Sequence, residues 1–202
     1  MRKWLYLLLA AALVLTVKGV AVVDAATTSF LVSASIPAAT GASITASRVN
    51  SATNVFTPVA GTNLNFDPMT YDPVNGIYLP NHFFAIDIGA IGGAGAPDVT
   101  VSYTEGANPN SPNPGLGGHA AATFVRVETA GEVPLTTHGP KMLLQDISGE
   151  HITTAETVGG YLRIYAGIVT GDVSTPAGGV PFTNADQSGA YNGTLVVTAT
   201  VP

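Results

Sequence analysis

The chain reads as all-β, a sandwich of short strands, and three observations predict it. Runs of alternating polar and apolar residues recur along its length. Turns rich in Gly and Pro separate them, and helical periodicity is nearly absent. Of the 202 residues, 46% are hydrophobic and only 10% charged, with 23 glycines and 14 prolines. Successive side chains leave a pleated backbone on opposite faces, so a period of two marks a strand with one buried face. Past residue 25, no window holds apolar residues at spacings of 3, 4 and 7 for three turns.

Residues 1–25 read as a secretion signal and stand apart from the fold. Arg2 and Lys3 form a basic start, and Trp4–Val17 is apolar apart from Thr16. A spanning helix needs about 20 apolar residues, so the segment is expected to be removed, after Ala21 or after Ala25. The mature form is then secreted and carries no membrane segment.

Residues 26–37 follow as a short alternating strand, Ala-Thr-Thr-Ser-Phe-Leu-Val-Ser-Ala-Ser-Ile-Pro. Phe30, Val32, Ala34 and Ile36 share one face; Leu31, Ser33 and Ser35 share the other. Residues 38–202 carry the remaining strands of one domain: Ala42–Val49, Asn63–Phe66, Ile77–Ile88, Asp98–Thr104, Ala120–Thr129, Lys141–Ile147, Gly160–Val169 and Gly193–Val201. Asp72-Pro-Val-Asn-Gly76 and Thr175-Pro-Ala-Gly-Gly179 are among the turns between them. Asn108–Gly118 is too rich in proline for a central strand and reads as an exposed connector. In the final strand Leu195, Val197, Ala199 and Val201 share one face, mirroring the first strand.

Composition excludes several functions. Without residues 1–25, four basic residues (Arg48, Arg126, Lys141, Arg163) stand against twelve acidic ones, a net charge of −8. Nucleic-acid binding needs clustered Lys and Arg to displace counterions, and docking on anionic lipid needs them too. Neither partner is expected. No cysteine is present, which removes disulfides, thiolate metal sites and Cys nucleophiles together.

Catalytic signals are missing as well. His82, His119, His138 and His151 fall in no spacing that aims two imidazoles at one metal. No G-x-S-x-G elbow occurs. Gly89-Ala-Ile-Gly-Gly-Ala-Gly95 lacks the following helix and the lysine of a phosphate cradle and reads as a turn. Asp67, Asp72 and Asn75 offer three oxygen side chains, fewer than calcium wants. Asn192-Gly-Thr194 matches a glycosylation sequon that is common by chance. Asp87, between Ile86 and Ile88, reads as the outward residue of an alternating strand. The expectation is a protein that is not an enzyme and holds no cofactor or metal.

The two ends resemble a family. Ala26-Thr-Thr-Ser-Phe-Leu-Val-Ser-Ala-Ser-Ile36 is similar to the mature N-terminus of chaperone–usher pilins of the spore coat protein U and Csu-like type. Gln187-Ser-Gly-Ala-Tyr-Asn-Gly-Thr-Leu-Val-Val-Thr-Ala-Thr-Val201 is similar to their last strand. The resemblance covers about 30 residues. It implies an incomplete immunoglobulin-like β-sandwich, filled first by a periplasmic chaperone and then by the N-terminal segment of a neighbouring subunit. Phe30, Val32, Ala34 and Ile36 would be the donor residues, and Leu195, Val197, Ala199 and Val201 would help line the acceptor groove. Partners implied are further copies of the chain, the chaperone and an outer-membrane usher. The product would be an extracellular cell-surface filament, reached through the periplasm. Many family members carry a cysteine shortly after the donor strand, and this chain does not.

Backbone pairing would give such strand addition its affinity and alternate side-chain pockets its specificity. Burying Phe30, Val32 and Ile36, with less from Ala34, is worth on the order of 6–8 kcal/mol. The same residues would serve a self-contained secreted sandwich that binds a glycan or surface partner. Tyr71, Tyr78, Phe83 and Phe84 would then have to supply its aromatic platform.

Overall fold

Alternating sequence does become strand. The computed structural model describes residues 30–35, 42–60, 63–90, 98–109, 114–127, 141–152 and 161–200. The expected secretion signal lies outside them. Thirteen strands are described: β1 Phe30–Ser35, β2 Ala42–Asn50, β3 Phe56–Pro58, β4 Asn63–Asn65, β5 Met69–Asp72, β6 Ile77–Pro80, β7 His82–Ala90, β8 Asp98–Glu105, β9 Ala120–Val127, β10 Lys141–Leu143, β11 Glu150–Ile152, β12 Tyr161–Ile168 and β13 Tyr191–Thr200. The helical residues among those described are α1, Leu116–His119, and a 3-10 turn at Leu144–Asp146. The chain is all-β.

Two larger sheets form. Sheet A has the order β11-β8-β13-β1-β4, and sheet B has β10-β9-β12-β7-β2-β3; β5 and β6 pair as a separate hairpin. Residues of both sheets share the main apolar core. Sheet A contributes Leu64, Val99, Val101, Leu195, Val197 and Ala199. Sheet B answers with residues such as Phe84, Ile86, Ile88, Leu162 and Ile164. These sit at every second position of their strands, as a period of two requires when one face is buried.

Some local expectations need correction. The run Ile77–Ile88 is two strands, not one. It breaks at Asn81, whose side-chain oxygen accepts a bond from Arg48 (3.0 Å) and lies 2.8 Å from His82 Nδ1. This lets β6 leave sheet B and pair with β5. Lys141–Ile147 holds strand pairing only to Leu143 and then tightens into the 3-10 turn.

Asn108–Gly118 is not exposed throughout, because its last residues enter α1 and are buried. The Glu105 carboxylate accepts the backbone N–H groups of Leu116 (3.0 Å) and Gly117 (2.8 Å), tying this turn to the end of β8. A Cβ at Gly117 would sit 2.8 Å from both Glu105 and the Tyr103 ring, so the approach demands glycine.

Asp72 and Asn75 close the β5–β6 turn instead of facing a cation. Asp72 accepts from Val74 N–H at 2.9 Å and from the Asn75 amide at 2.7 Å. These bonds hold the Asp72 carboxyl below its ordinary value, the Asn75 contact contributing most. Asp67 does not join them; its own backbone N–H donates to Asn65.

Candidate functional site

The first and last described strands meet. β1 lies between β13 and β4, parallel to the former and antiparallel to the latter. Every other pairing among the described strands is antiparallel. The register sets Phe30 beside Tyr191, Val32 beside Gly193 and Ala34 beside Leu195, with Val32 also opposite Leu64. Tyr191, Leu195 and Leu64 are fully buried. Phe30 and Ala34 are thus aligned with core positions of β13, and Val32 with a core position of β4. Leu195, Val197 and Ala199 belong to the core itself. Ile36 and Val201 lie outside the described residues.

β1 is what connects β4 to the rest of sheet A, since the sheet order gives β4 no other neighbour. Without β1, a slot six residues long would open along Tyr191–Val196. It would bare the hydrogen-bonding edges of two strands above an apolar floor, a template for another strand. At its middle the floor is shaped by Gly193. The Tyr103 ring occupies the volume a side chain would need there, and any Cβ would run into its phenol. That ring is kept in place by a bond from its hydroxyl to Glu105 (3.2 Å). Burial, and then the adjacent Glu105 charge, push the phenol far above its ordinary value, so it stays protonated as a donor.

At the start of β13 an aromatic stack closes this end of the slot. His119 is fully buried, lies 3.7 Å from the Phe182 ring centroid at 20°, and meets Tyr191 edge-on at 5.8 Å. Its Nδ1 lies 2.6 Å from the Val180 carbonyl, which makes Nδ1 the protonated nitrogen. Nε2 has no hydrogen-bond partner and stands 3.7 Å from Asp186 Oδ1. Burial lowers the imidazole below its ordinary value, against the opposing pull of the Val180 carbonyl and the Asp186 and Glu105 carboxylates. His82 is buried too, between Asn81 and the Asn65 carbonyl, and burial lowers it likewise. Among the described residues, no three His, Cys, Asp or Glu side chains gather as a metal site.

The outward face of sheet B holds a feature that the sequence reading missed. Asp87 does sit on that face, but it is buried rather than solvated. It is in register with Arg163 on β12 and grips it through two bonds, Nε to Oδ1 at 2.5 Å and Nη2 to Oδ2 at 2.9 Å. The guanidinium also donates to the Tyr165 hydroxyl (3.1 Å) and lies 4.9 Å from the Phe56 ring centroid. Burial works against this charge, but the bonds to Asp87 and Tyr165 outweigh it and raise Arg163 above its ordinary value. Val49, Ala85, Val125 and Tyr165 form a second small core around the pair. One arginine and one aspartate, each inside an otherwise apolar strand, were the available signal.

The proposed aromatic platform is not assembled. Phe84 is in the main core, whereas Tyr71 and Tyr78 pair at 5.1 Å on the β5–β6 hairpin. Phe83 alone is on the outward face of sheet B, edge-on to Tyr165 at 5.8 Å. Among the described residues, no helix is long and apolar enough to cross a membrane. No protein-family model, curated protein or solved structure matches the chain.

Proposed function

We propose that this chain is a structural subunit of an extracellular filament, assembled when the β1 segment of one copy occupies the slot of the next. The observation that carries this reading is the place of β1, the lone parallel strand among those described and the link between β4 and β13. In this reading the fold is an immunoglobulin-like sandwich completed by that strand. Residues 26–37 form the donor segment, and Pro37-Ala-Ala-Thr-Gly41 is the small-residue hinge that frees it. Phe30, Val32, Ala34 and Ile36 enter a neighbour's slot lined by Leu195, Val197, Ala199 and Val201. A periplasmic chaperone and an outer-membrane usher are the partners that the family resemblance adds.

Exchange repeats the same contacts between copies that β1 makes within one. Strand swapping of this kind therefore costs little beyond the hinge and is favoured by subunit concentration. Low charge suits a surface that packs against copies of itself. The seating of β1 in its own chain equally favours a second reading, a self-contained secreted monomer.

Deletion of residues 27–36, followed by electron microscopy and size exclusion of the secreted product, separates the two. The expected outcome is loss of polymer, with assembly-competent capture of a synthetic 27–36 peptide by the shortened protein. Filaments that still form from the shortened protein refute strand exchange.

A further inference from the structure

Away from the β1 slot, the outward face of sheet B carries a cavity of about 270 Å³. Its floor is built from small residues at facing positions of β9 and β12, Ala121 and Gly167, which the register sets side by side. Phe83 and Tyr165 form an aromatic wall, edge-on to each other. The loop after β12 contributes Asp172 and Ser174 to the lining, and β10 contributes Lys141. The volume lies just below the range of about 300–1,000 Å³ typical of pockets for drug-sized ligands. It suits one small ring.

The polar rim is a connected chain with capacity left over. Lys141 Nζ donates to Ser174 Oγ at 2.6 Å, and Ser174 Oγ donates to Asp172 Oδ1 at 2.6 Å. The backbone N–H of Ser174 (2.8 Å) and the Thr170 hydroxyl (2.9 Å) also donate to this carboxylate. An ammonium has three donors and a carboxylate about four acceptor sites. Among the described residues, Lys141 therefore keeps two donors and Asp172 one acceptor. Both residues are exposed at the mouth.

We infer that this cavity binds a neutral hexopyranose, the sugar ring lying against Phe83 while two neighbouring hydroxyls bridge Lys141 and Asp172. One hydroxyl accepts from the ammonium and its neighbour donates to the carboxylate, an arrangement that a vicinal diol supplies. The C–H face of the ring meets the aromatic wall, and the small-residue floor leaves it depth. A simple carboxylate ligand would match Lys141 but would set its charge against Asp172. The site lies on sheet B and does not depend on strand exchange in sheet A, so filament formation and sugar binding fail or survive separately.

The test is ligand-observed NMR and calorimetric titration of the full secreted protein with methyl glucoside, galactoside and mannoside, beside sodium glucuronate and glycerol. Saturable binding of at least one neutral glycoside is expected at a Kd of about 1 mM, as befits a single ring. Asp172→Asn and Phe83→Leu should each weaken it about tenfold. Ala121→Met should abolish it by filling the floor, leaving the polar rim and the loop intact. Unchanged urea midpoints for Ala121→Met would separate lost binding from lost fold. Absence of saturable binding by every neutral glycoside overturns the inference. Equal affinity for glycerol, preference for glucuronate, or full binding by a correctly folded Ala121→Met protein overturns it too.

Discussion

Lowering the pH from 7.5 to 5.5 forces a choice on the imidazole of His119. In the fold it is sealed from water, stacked on Phe182, and its one bonded nitrogen already donates to the Val180 carbonyl. Burial holds its pKa below 6.5, while the unfolded chain protonates near that value. Below pH 6.5 the unfolded state therefore binds more protons, and stability falls as the pH falls. The loss by pH 5.5 is at most about 1.4 kcal/mol, the limit reached by an imidazole that stays wholly neutral in the fold. His82 shifts in the same direction and adds to the loss of stability as the pH falls.

The carboxyls of Asp72 and Asp172 are also lowered, by their bonds to Asn75 and Ser174. Their contribution is lost only as the pH falls below about 4, which leaves the histidine window clear. Urea unfolding followed by tyrosine fluorescence at pH 7.5, 6.5 and 5.5 reads the effect directly. His119→Phe keeps a ring on Phe182, cannot titrate, and should reduce the pH dependence. A wild-type midpoint that does not move between pH 7.5 and 5.5, or a variant with the full wild-type slope, would refute the reasoning.

Two further substitutions probe the sheets. Asp87→Ala takes away both carboxylate bonds of buried Arg163 and should cost about 3–5 kcal/mol in urea unfolding, whereas Asp87→Leu combined with Arg163→Met should regain most of that loss. A cost under about 1 kcal/mol would mean that the pair is solvated. Gly193→Val drives a side chain into the Tyr103 ring and should destabilise by about 1–3 kcal/mol. If it does not, the middle of the slot is not closed by that ring.

Strands with strict alternation and a full apolar face were legible in the sequence. β7, β12 and β13 overlap the runs Ile77–Ile88, Gly160–Val169 and Gly193–Val201. β3 and β11 were missed because three residues carry no period, and β3 ends on Pro58 at a sheet edge. α1 was illegible because two of its four residues are glycine and its N–H groups are satisfied by Glu105, eleven and twelve positions upstream. The Asp87–Arg163 pair was hidden for another reason. Each charge looks like an ordinary outward residue until β7 and β12 are known to be neighbours in that register. The opening strand was legible as a strand and the family resemblance set it against the last strand, but its pairing with β4 was not legible, since tertiary structure fixes that neighbour.

The pairing of β1 with β13 joins residues about 160 positions apart in the chain. Such a contact closes a very long loop, and contacts of this kind form late and slowly. β1 is therefore made about 160 residues before β13, the strand it pairs with in the fold. In the strand-exchange reading proposed above, a finished slot on another copy would compete for β1 during that interval. In that reading the timing of synthesis, as much as the energy of the contact, would decide which molecule each first strand belongs to.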